Sequence, residues 1–180
     1  MRYRHSFIFV FLACLGLIIA PAALASGLED KPAPAFELSD QYGDRHSLSD
    51  FSGQWLVVFF YPRANTPGCT TEACNFRDNI YAFRGLGAEV VGISTDPVDE
   101  QRAFSDEYRL PYAILSDADG AVGERYGVLT SRGDVNFARR ESFVIDPDGR
   151  IVRHYRDVDP ETHSEQVLAD LEELLQGAAS

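Results

Sequence analysis

Positive charge is scarce in this chain. Lysine and arginine number 16 against 28 aspartates and glutamates, a formal net charge of −12 at pH 7. Such a surface repels phosphate, which excludes nucleic acid as a partner. Cysteine is rarer still, at three residues, and no two of them form a Cys-x2-Cys pair. No zinc-ligand spacing joins His46, His154 or His163 to the cysteines, so a metal site has no support. Asp117-x-Asp119-Gly120 and Asp146-x-Asp148-Gly149 lack the further ligands of a calcium loop and read as turns. Internal repeats are absent. With 45% hydrophobic and 24% charged residues, disorder is excluded as well, and 180 residues fit a single domain with one sizeable core.

The N-terminus does not belong to that domain. Arg2 and Arg4 are the only charged residues before Glu29, and an uncharged apolar stretch runs from Phe7 to Ala20. Ala23-Leu24-Ala25 then supplies the small residues that a signal peptidase requires. This is the pattern of a secretory signal peptide, cleaved after Ala25. An uncleaved membrane anchor is the rival reading, since the apolar run could just cross a bilayer; Pro21 and the Ala-x-Ala site favour removal. Phe11-Leu12-Ala13-Cys14 is only loosely like a lipoprotein signal, and Cys14 reads as a small apolar residue within the leader. The expectation is therefore a cleaved segment 1–25, a short polar lead-in 26–35 and one domain over 36–180. The product would be exported, to the bacterial periplasm, and free of the membrane once the leader is gone. The mature chain would carry 14 basic and 28 acidic side chains, a net −14.

Within the domain, strand and helix signals alternate. Phe36-Leu38 and Arg45-Leu48 flank Asp40 to Asp44 as a small hairpin. Trp55 to Tyr61 is a continuous apolar run rich in β-branched and aromatic residues, hence a strand buried on both faces. One helix is expected from Pro67 to Phe83, with Ala73, Phe76, Ile80 and Phe83 on its apolar side and Gly85 and Gly87 ending it. Glu89 to Ser94 is a second buried strand. A helix follows to about Tyr108, with Asp96 as N-cap and Pro97 at its first position. Tyr112 to Leu115 is a third strand, and a short helix lies around Val122 to Tyr126. Ser142 to Ile145 and Ile151 to Tyr155 form a hairpin about Asp146-Pro147-Asp148-Gly149. An amphipathic helix over 160–175 closes the chain, with Val167, Leu168, Leu171 and Leu175 turned inward. The fold class is α/β, a central mixed sheet flanked by helices.

Two cysteines remain in the mature chain, Cys69 and Cys74. A structural disulfide is the plain reading for an exported pair, but it would close a very short loop, where a cross-link gains least. Cys69 falls in the first turn of a helix, after a buried strand. There the unpaired N–H groups and the helix dipole stabilise an anion, and the thiolate is the nucleophilic form of cysteine. If both cysteines are helical, their Cα atoms lie about 8.6 Å apart and their side chains about 140° apart around the axis. A disulfide needs less than about 7 Å. A permanent staple would therefore forbid the helix, whereas a switching pair would be helical when reduced and locally unwound when oxidised.

Pro62-x3-Thr66-x2-Cys69-Thr70, with Cys74 five residues beyond Cys69, resembles the active-site signature of the peroxiredoxins. The Cys-x4-Cys spacing is similar to that of the bacterioferritin-comigratory, or Q-type, branch. Arg140-Glu141-Ser142-Phe143 resembles the strand that carries the family's distal arginine. The likeness covers nearly all of the mature chain, from Phe36 to the last helix. It implies a thioredoxin-like fold and a thiol peroxidase that reduces hydrogen peroxide and organic hydroperoxides without a cofactor. Cys69 would be the peroxidatic cysteine and Cys74 the resolving one, joined by an intramolecular disulfide during turnover. Thr66 would hydrogen-bond the peroxide, Arg140 would hold the thiolate and the developing charge, and Pro62 would shield the sulfur from water. Glu72 is a candidate to orient Arg140. The reductant would be a thioredoxin-like protein, and the chain a monomer or weak homodimer. Taken singly, Thr66 reads as a helix cap, Pro62 as a strand stop, and Arg139 competes with Arg140. An exported thioredoxin-like disulfide oxidoreductase is the alternative function; it would share the architecture but calls for the Cys-x2-Cys that is missing.

Overall fold

Val57, Phe59 and Tyr61 alternate along the chain with Leu56, Val58 and Phe60, and all six are buried. Alternation sends the two sets to opposite faces of a sheet. The first packs with Ala73, Phe76, Phe83, Phe104 and Val167; the second packs with Phe36, Ile93, Val122, Tyr126 and Phe143. Two cores thus lie on the two faces of one strand. The computed structural model describes residues 27–178. The leader, its cleavage point and Cys14 lie outside those residues.

In chain order the elements are β1 (Glu37–Ser39), β2 (Arg45–Ser47), β3 (Trp55–Phe60), α1 (Pro67–Asp78), α2 (Ile80–Gly85), β4 (Ala88–Ser94), α3 (Val98–Tyr108), β5 (Ala113–Ser116), α4 (Ala121–Arg125), β6 (Leu129–Arg132), β7 (Val135–Ala138), β8 (Glu141–Ile145), β9 (Ile151–Tyr155) and α5 (His163–Ala178). Seven strands form one sheet in the order β2-β1-β5-β4-β3-β8-β9. β3, β4 and β5 run parallel. Their crossovers are the helical segments α1–α2 and α3, as parallel neighbours require. β8 is antiparallel to β3, with Phe60 opposite Glu141. That register places the residue before β8, Arg140, beside the carboxyl end of β3 where α1 begins. The mixed sheet flanked by helices is the architecture expected from the sequence.

Three local features differ from expectation. The single helix over 67–83 is two helices, broken at Asn79. Asn79 adopts φ −95 and ψ 2, and its amide donates to the Ser164 hydroxyl on α5 at 3.0 Å. The apolar spacing runs through the break because Phe76, Ile80 and Phe83 still reach the same core. Asp96 is not the cap of α3; Pro97, with ψ 163, takes that place. The Asp96 carboxylate turns inward instead and accepts the Ala64 N–H at 2.8 Å and the Ser94 hydroxyl at 2.7 Å. The β6–β7 hairpin has no counterpart in the sequence reading. Its signal was Gly133, which takes φ +63 in the turn between two short alternating runs. Asp117 and Asp146 act as turn residues, as read: the Asp117 carboxylate accepts the Val122 and Gly123 N–H groups, and Asp146 accepts those of Asp148 and Arg150.

Gly92 on β4 tests how tightly the sheet is covered. A Cβ there would lie 2.7 Å from Phe59 Cζ and 2.8 Å from Ile114 Cδ1. Phe59 is stacked on Phe76 at 4.7 Å and has little room to turn. Gly92→Ala is expected to cost about 1–3 kcal/mol, read as a lower urea midpoint at unchanged slope. Gly85→Ala, where the added carbon meets open space, should leave the midpoint unchanged or raise it.

Candidate active site

Tyr61 follows β3 and is fully buried, its hydroxyl donating to Gln101 on α3. The chain then crosses Pro62 to Thr66 to reach α1. Two devices shape this crossing: Asn65 takes the left-handed conformation, φ 59, and the Ala64 N–H is tied to Asp96. Thr66 is the N-cap by backbone geometry, φ −96 and ψ 149, and Pro67 occupies the first helical position. The first backbone bond of the helix runs from the Thr70 N–H to the Thr66 carbonyl at 2.9 Å. The amides of Gly68 and Cys69 precede that bond and have no acceptor within the helix. Cys69 therefore stands where the sequence placed it, in a first turn with free donors. Its side chain is 1% exposed and packs with Ala64, Ala73 and Phe76.

Arg140 reaches this turn from the short link between β7 and β8 rather than from a strand. Its Nη2 donates to Cys69 Sγ at 3.3 Å, and its Nη1 donates to the Glu72 carboxylate. One guanidinium thus spans the sulfur and a carboxylate one turn along α1. Gly68 makes the approach possible, because a Cβ there would lie 3.2 Å from Nη2. Arg139, the rival, points elsewhere: it donates to Glu141 at 2.6 Å and to the Gly127 carbonyl. Glu72 is fully buried, and its second oxygen has no hydrogen-bond partner. Burial pushes its carboxyl up to about 7, against the pull of the Arg140 charge. Burial works against the charge of Arg140 in turn, but Glu72 and Cys69 outweigh it and hold the guanidinium above its ordinary value.

The other expected residues are distributed as follows. Pro62 and Thr66 are half-buried on the crossing into α1. The Thr66 hydroxyl donates to the Arg63 carbonyl at 2.9 Å and makes no side-chain cap. Cys74 is half-buried in the same helix as Cys69, and both are free thiols. Arg77 Nη1 donates to Cys74 Sγ at 3.4 Å. Between the cysteines, the Tyr112 hydroxyl donates to the Ala73 carbonyl at 2.7 Å. Just beyond them, the Asn75 amide donates to the Pro160 and Glu161 carbonyls, each at 3.0 Å. The sequence reading missed Arg77, Tyr112 and Asp96 as parts of the site. Arg77 could have been found by its i+3 spacing from Cys74; Tyr112 left no local signal. The three histidines sit apart: His46 against Asp40, His154 against Glu141, and His163 between the rings of Phe76 and Tyr155. Among the described residues no group of three or more such side chains could hold a metal.

A family model described as the AhpC/TSA family matches residues 30–154. Peroxiredoxin Bcp of Escherichia coli (strain K12) is 40% identical over 145 residues, which cover 78% of this chain and 93% of that protein. The chloroplastic peroxiredoxin Q of Sedum lineare is 42% identical over 142 residues, 78% of this chain and 76% of that one. Among solved structures, peroxidoxin BcpB from Mycobacterium tuberculosis superposes with a TM-score of 0.76 at 38% identity, covering 81% of this chain and 96% of that one.

The buried Glu72 gives the site a pH signature. Its folded value lies above the ordinary 4.5. Between those values the unfolded chain has released a proton that the folded one keeps, so stability falls as pH rises through the window and levels off on either side. Glu72→Gln should remove that fall. The measurement is the urea midpoint of both proteins at pH 4.5 and pH 8, and an equal drop in the two would show that burial of Glu72 is not the cause.

Proposed function

The chain belongs to the AhpC/TSA family and is a peroxiredoxin, a thiol-dependent peroxidase on a thioredoxin-like fold, and from that premise we propose that Cys69 reduces hydrogen peroxide and organic hydroperoxides. The observation that carries this reading is the guanidinium of Arg140 at 3.3 Å from a buried Cys69 sulfur in the first turn of α1. The Cys69 thiolate attacks one oxygen of the peroxide. The O–O bond breaks, a sulfenic acid forms on Cys69, and the other oxygen leaves as water or alcohol after taking a proton. Arg140 and the Gly68 and Cys69 amides supply the donors for charge developing on the oxygens. Thr66 turns its hydroxyl from the Arg63 carbonyl toward the peroxide, and Pro62 keeps water from the sulfur.

Cys74 then resolves the sulfenic acid. Both cysteines are in α1, at a helical separation of about 8.6 Å, so α1 unwinds between them before a disulfide forms. Unwinding breaks the bonds that Tyr112 makes to Ala73 and that Asn75 makes to Pro160 and Glu161. A thioredoxin-like protein reduces the disulfide and lets the helix close. The enzyme works as a monomer or weak homodimer in antioxidant defence. Its leader 1–25 directs it to the bacterial periplasm, where the reductant must itself be kept reduced.

Peroxide consumption driven by a dithiol tests the reading. Wild type should consume peroxide and Cys69→Ser should not; equal consumption by the two would end it. Arg140→Lys cannot span the sulfur and Glu72 at once, and the rate should fall by roughly 10²–10³-fold. The reduced mature chain should show two titratable thiols that fall to none after one equivalent of peroxide. No dimer should appear on a non-reducing gel.

A further inference from the structure

Arg77 does not belong to the motif that marks the site, yet among the described residues it is the side chain that donates to the second sulfur. It lies three residues beyond Cys74 on α1, the spacing that puts two side chains on one helix face. Its guanidinium is held at three points. Nη1 donates to Cys74 Sγ at 3.4 Å and to the Tyr108 carbonyl at 2.8 Å, and Nε donates to Asp78 at 2.8 Å. The Asp78 pair is largely solvent-exposed and contributes little. Tyr108 is the last residue of α3, followed by Arg109 in the left-handed conformation. Its carbonyl is one of those a helix end leaves without an intrahelical donor. That bond pins the guanidinium to a neighbouring element and fixes the cation beneath the sulfur.

We propose that Arg77 is a catalytic residue of the resolving half-reaction, holding Cys74 as the thiolate that attacks the Cys69 sulfenic acid. The inference rests on the peroxidase reading above. In the step, the Cys74 sulfur forms a bond to the Cys69 sulfur and the S–O bond of the sulfenic acid breaks. Hydroxide leaves and takes a proton from solvent, becoming water. Two thiols and one peroxide are thereby converted to a disulfide and two small products, with no further oxidant. A guanidinium is suited to this work because it stays charged and its planar fork can serve the sulfur and the Tyr108 carbonyl together. The two cysteines are then served by separate cations, Arg140 for the attack on peroxide and Arg77 for the attack on sulfenic acid. Speed in the second step also protects the first cysteine, because a sulfenic acid that waits meets a second peroxide and becomes sulfinic acid.

A structural role and a chemical role separate in two variants. Arg77→Gln can still donate to the Tyr108 carbonyl but has no charge; Arg77→Lys keeps the charge. With a sulfenic-acid trap and intact-mass spectrometry, Arg77→Gln should form the Cys69 sulfenic acid at the wild-type rate. It should close the disulfide roughly tenfold more slowly or worse and accumulate more sulfinic acid at high peroxide. Arg77→Lys should recover most of the lost rate. Closure by Arg77→Gln at the wild-type rate, or a lysine variant as slow as the glutamine one, overturns the assignment. Failure of wild type to consume any peroxide would instead sink the peroxidase reading beneath it. A measurement that leaves Arg77 in place guards against a variant that does not fold. In Cys69→Ser, the ratio of alkylation rates of Cys74 by iodoacetate and iodoacetamide cancels exposure and reports local charge. The ratio should be higher in the folded chain than in urea, and an equal or lower ratio overturns the proposal.

Discussion

The site depends on one guanidinium. Arg140 spans the Cys69 sulfur and the Glu72 carboxylate, and among the described residues neither of those groups has a hydrogen bond from another side chain. A carboxylate that is fully buried beside an unpaired oxygen is costly, and Arg140 is what makes Glu72 tolerable there. The surrounding features serve the approach of that cation. Gly68 leaves the space for Nη2, and the β3–β8 register brings the link before β8 to the start of α1. Arg139 is held away by Glu141, which is itself bonded to His154 on β9. The two adjacent arginines are thus sorted by the partners that wait for each.

The second constraint is a conflict between helix and chemistry. α1 is well tied between and just beyond the cysteines: the Tyr112 hydroxyl donates to Ala73, and the Asn75 amide donates to Pro160. Such ties hold the reduced helix, with Cys69 at its free donors and Cys74 a turn and a half away. They must yield for a disulfide, since geometry forbids one within an intact helix. Neutral hydrogen bonds contribute about 1 kcal/mol each, so several can be exchanged for one covalent bond. On the proposed peroxidase reading, the pair of cysteines is a switch wound into a helix rather than a staple.

Much of the fold was legible because its signals were local. The buried run from Trp55 to Tyr61, the turn at Asp146 to Gly149 and the apolar face of the last helix each follow from period and turn chemistry. The motif from Pro62 to Cys74 put Cys69 in the first turn of a helix, and α1 has it there. What could not be read was long-range. Asn79 breaks a helix whose apolar spacing runs on unbroken, because its amide finds Ser164 some 85 residues away. Asp96 looked like a helix cap beside Pro97, but its carboxylate serves Ala64 across the site. Arg140 was chosen by its motif, and the reason it reaches the sulfur is the pairing of β8 with β3, which sets Glu141 opposite Phe60 and carries no local signal.

The sequence by itself determined the chemistry available: two cysteines five residues apart, the first at a helix start after a buried strand, in an acidic chain with no metal-binding spacing. Those are properties of composition and local periodicity, which act over a few residues. Only the tertiary structure decided which cation serves which sulfur. Arg140 comes to Cys69 from 71 residues away and Tyr112 comes to Ala73 from 39. Even Arg77, a near neighbour of Cys74, is fixed by a carbonyl 31 residues along the chain. Hydrogen bonds and ion pairs act over a few ångströms of space and carry no local period, so their partners are set by how the sheet is ordered and registered.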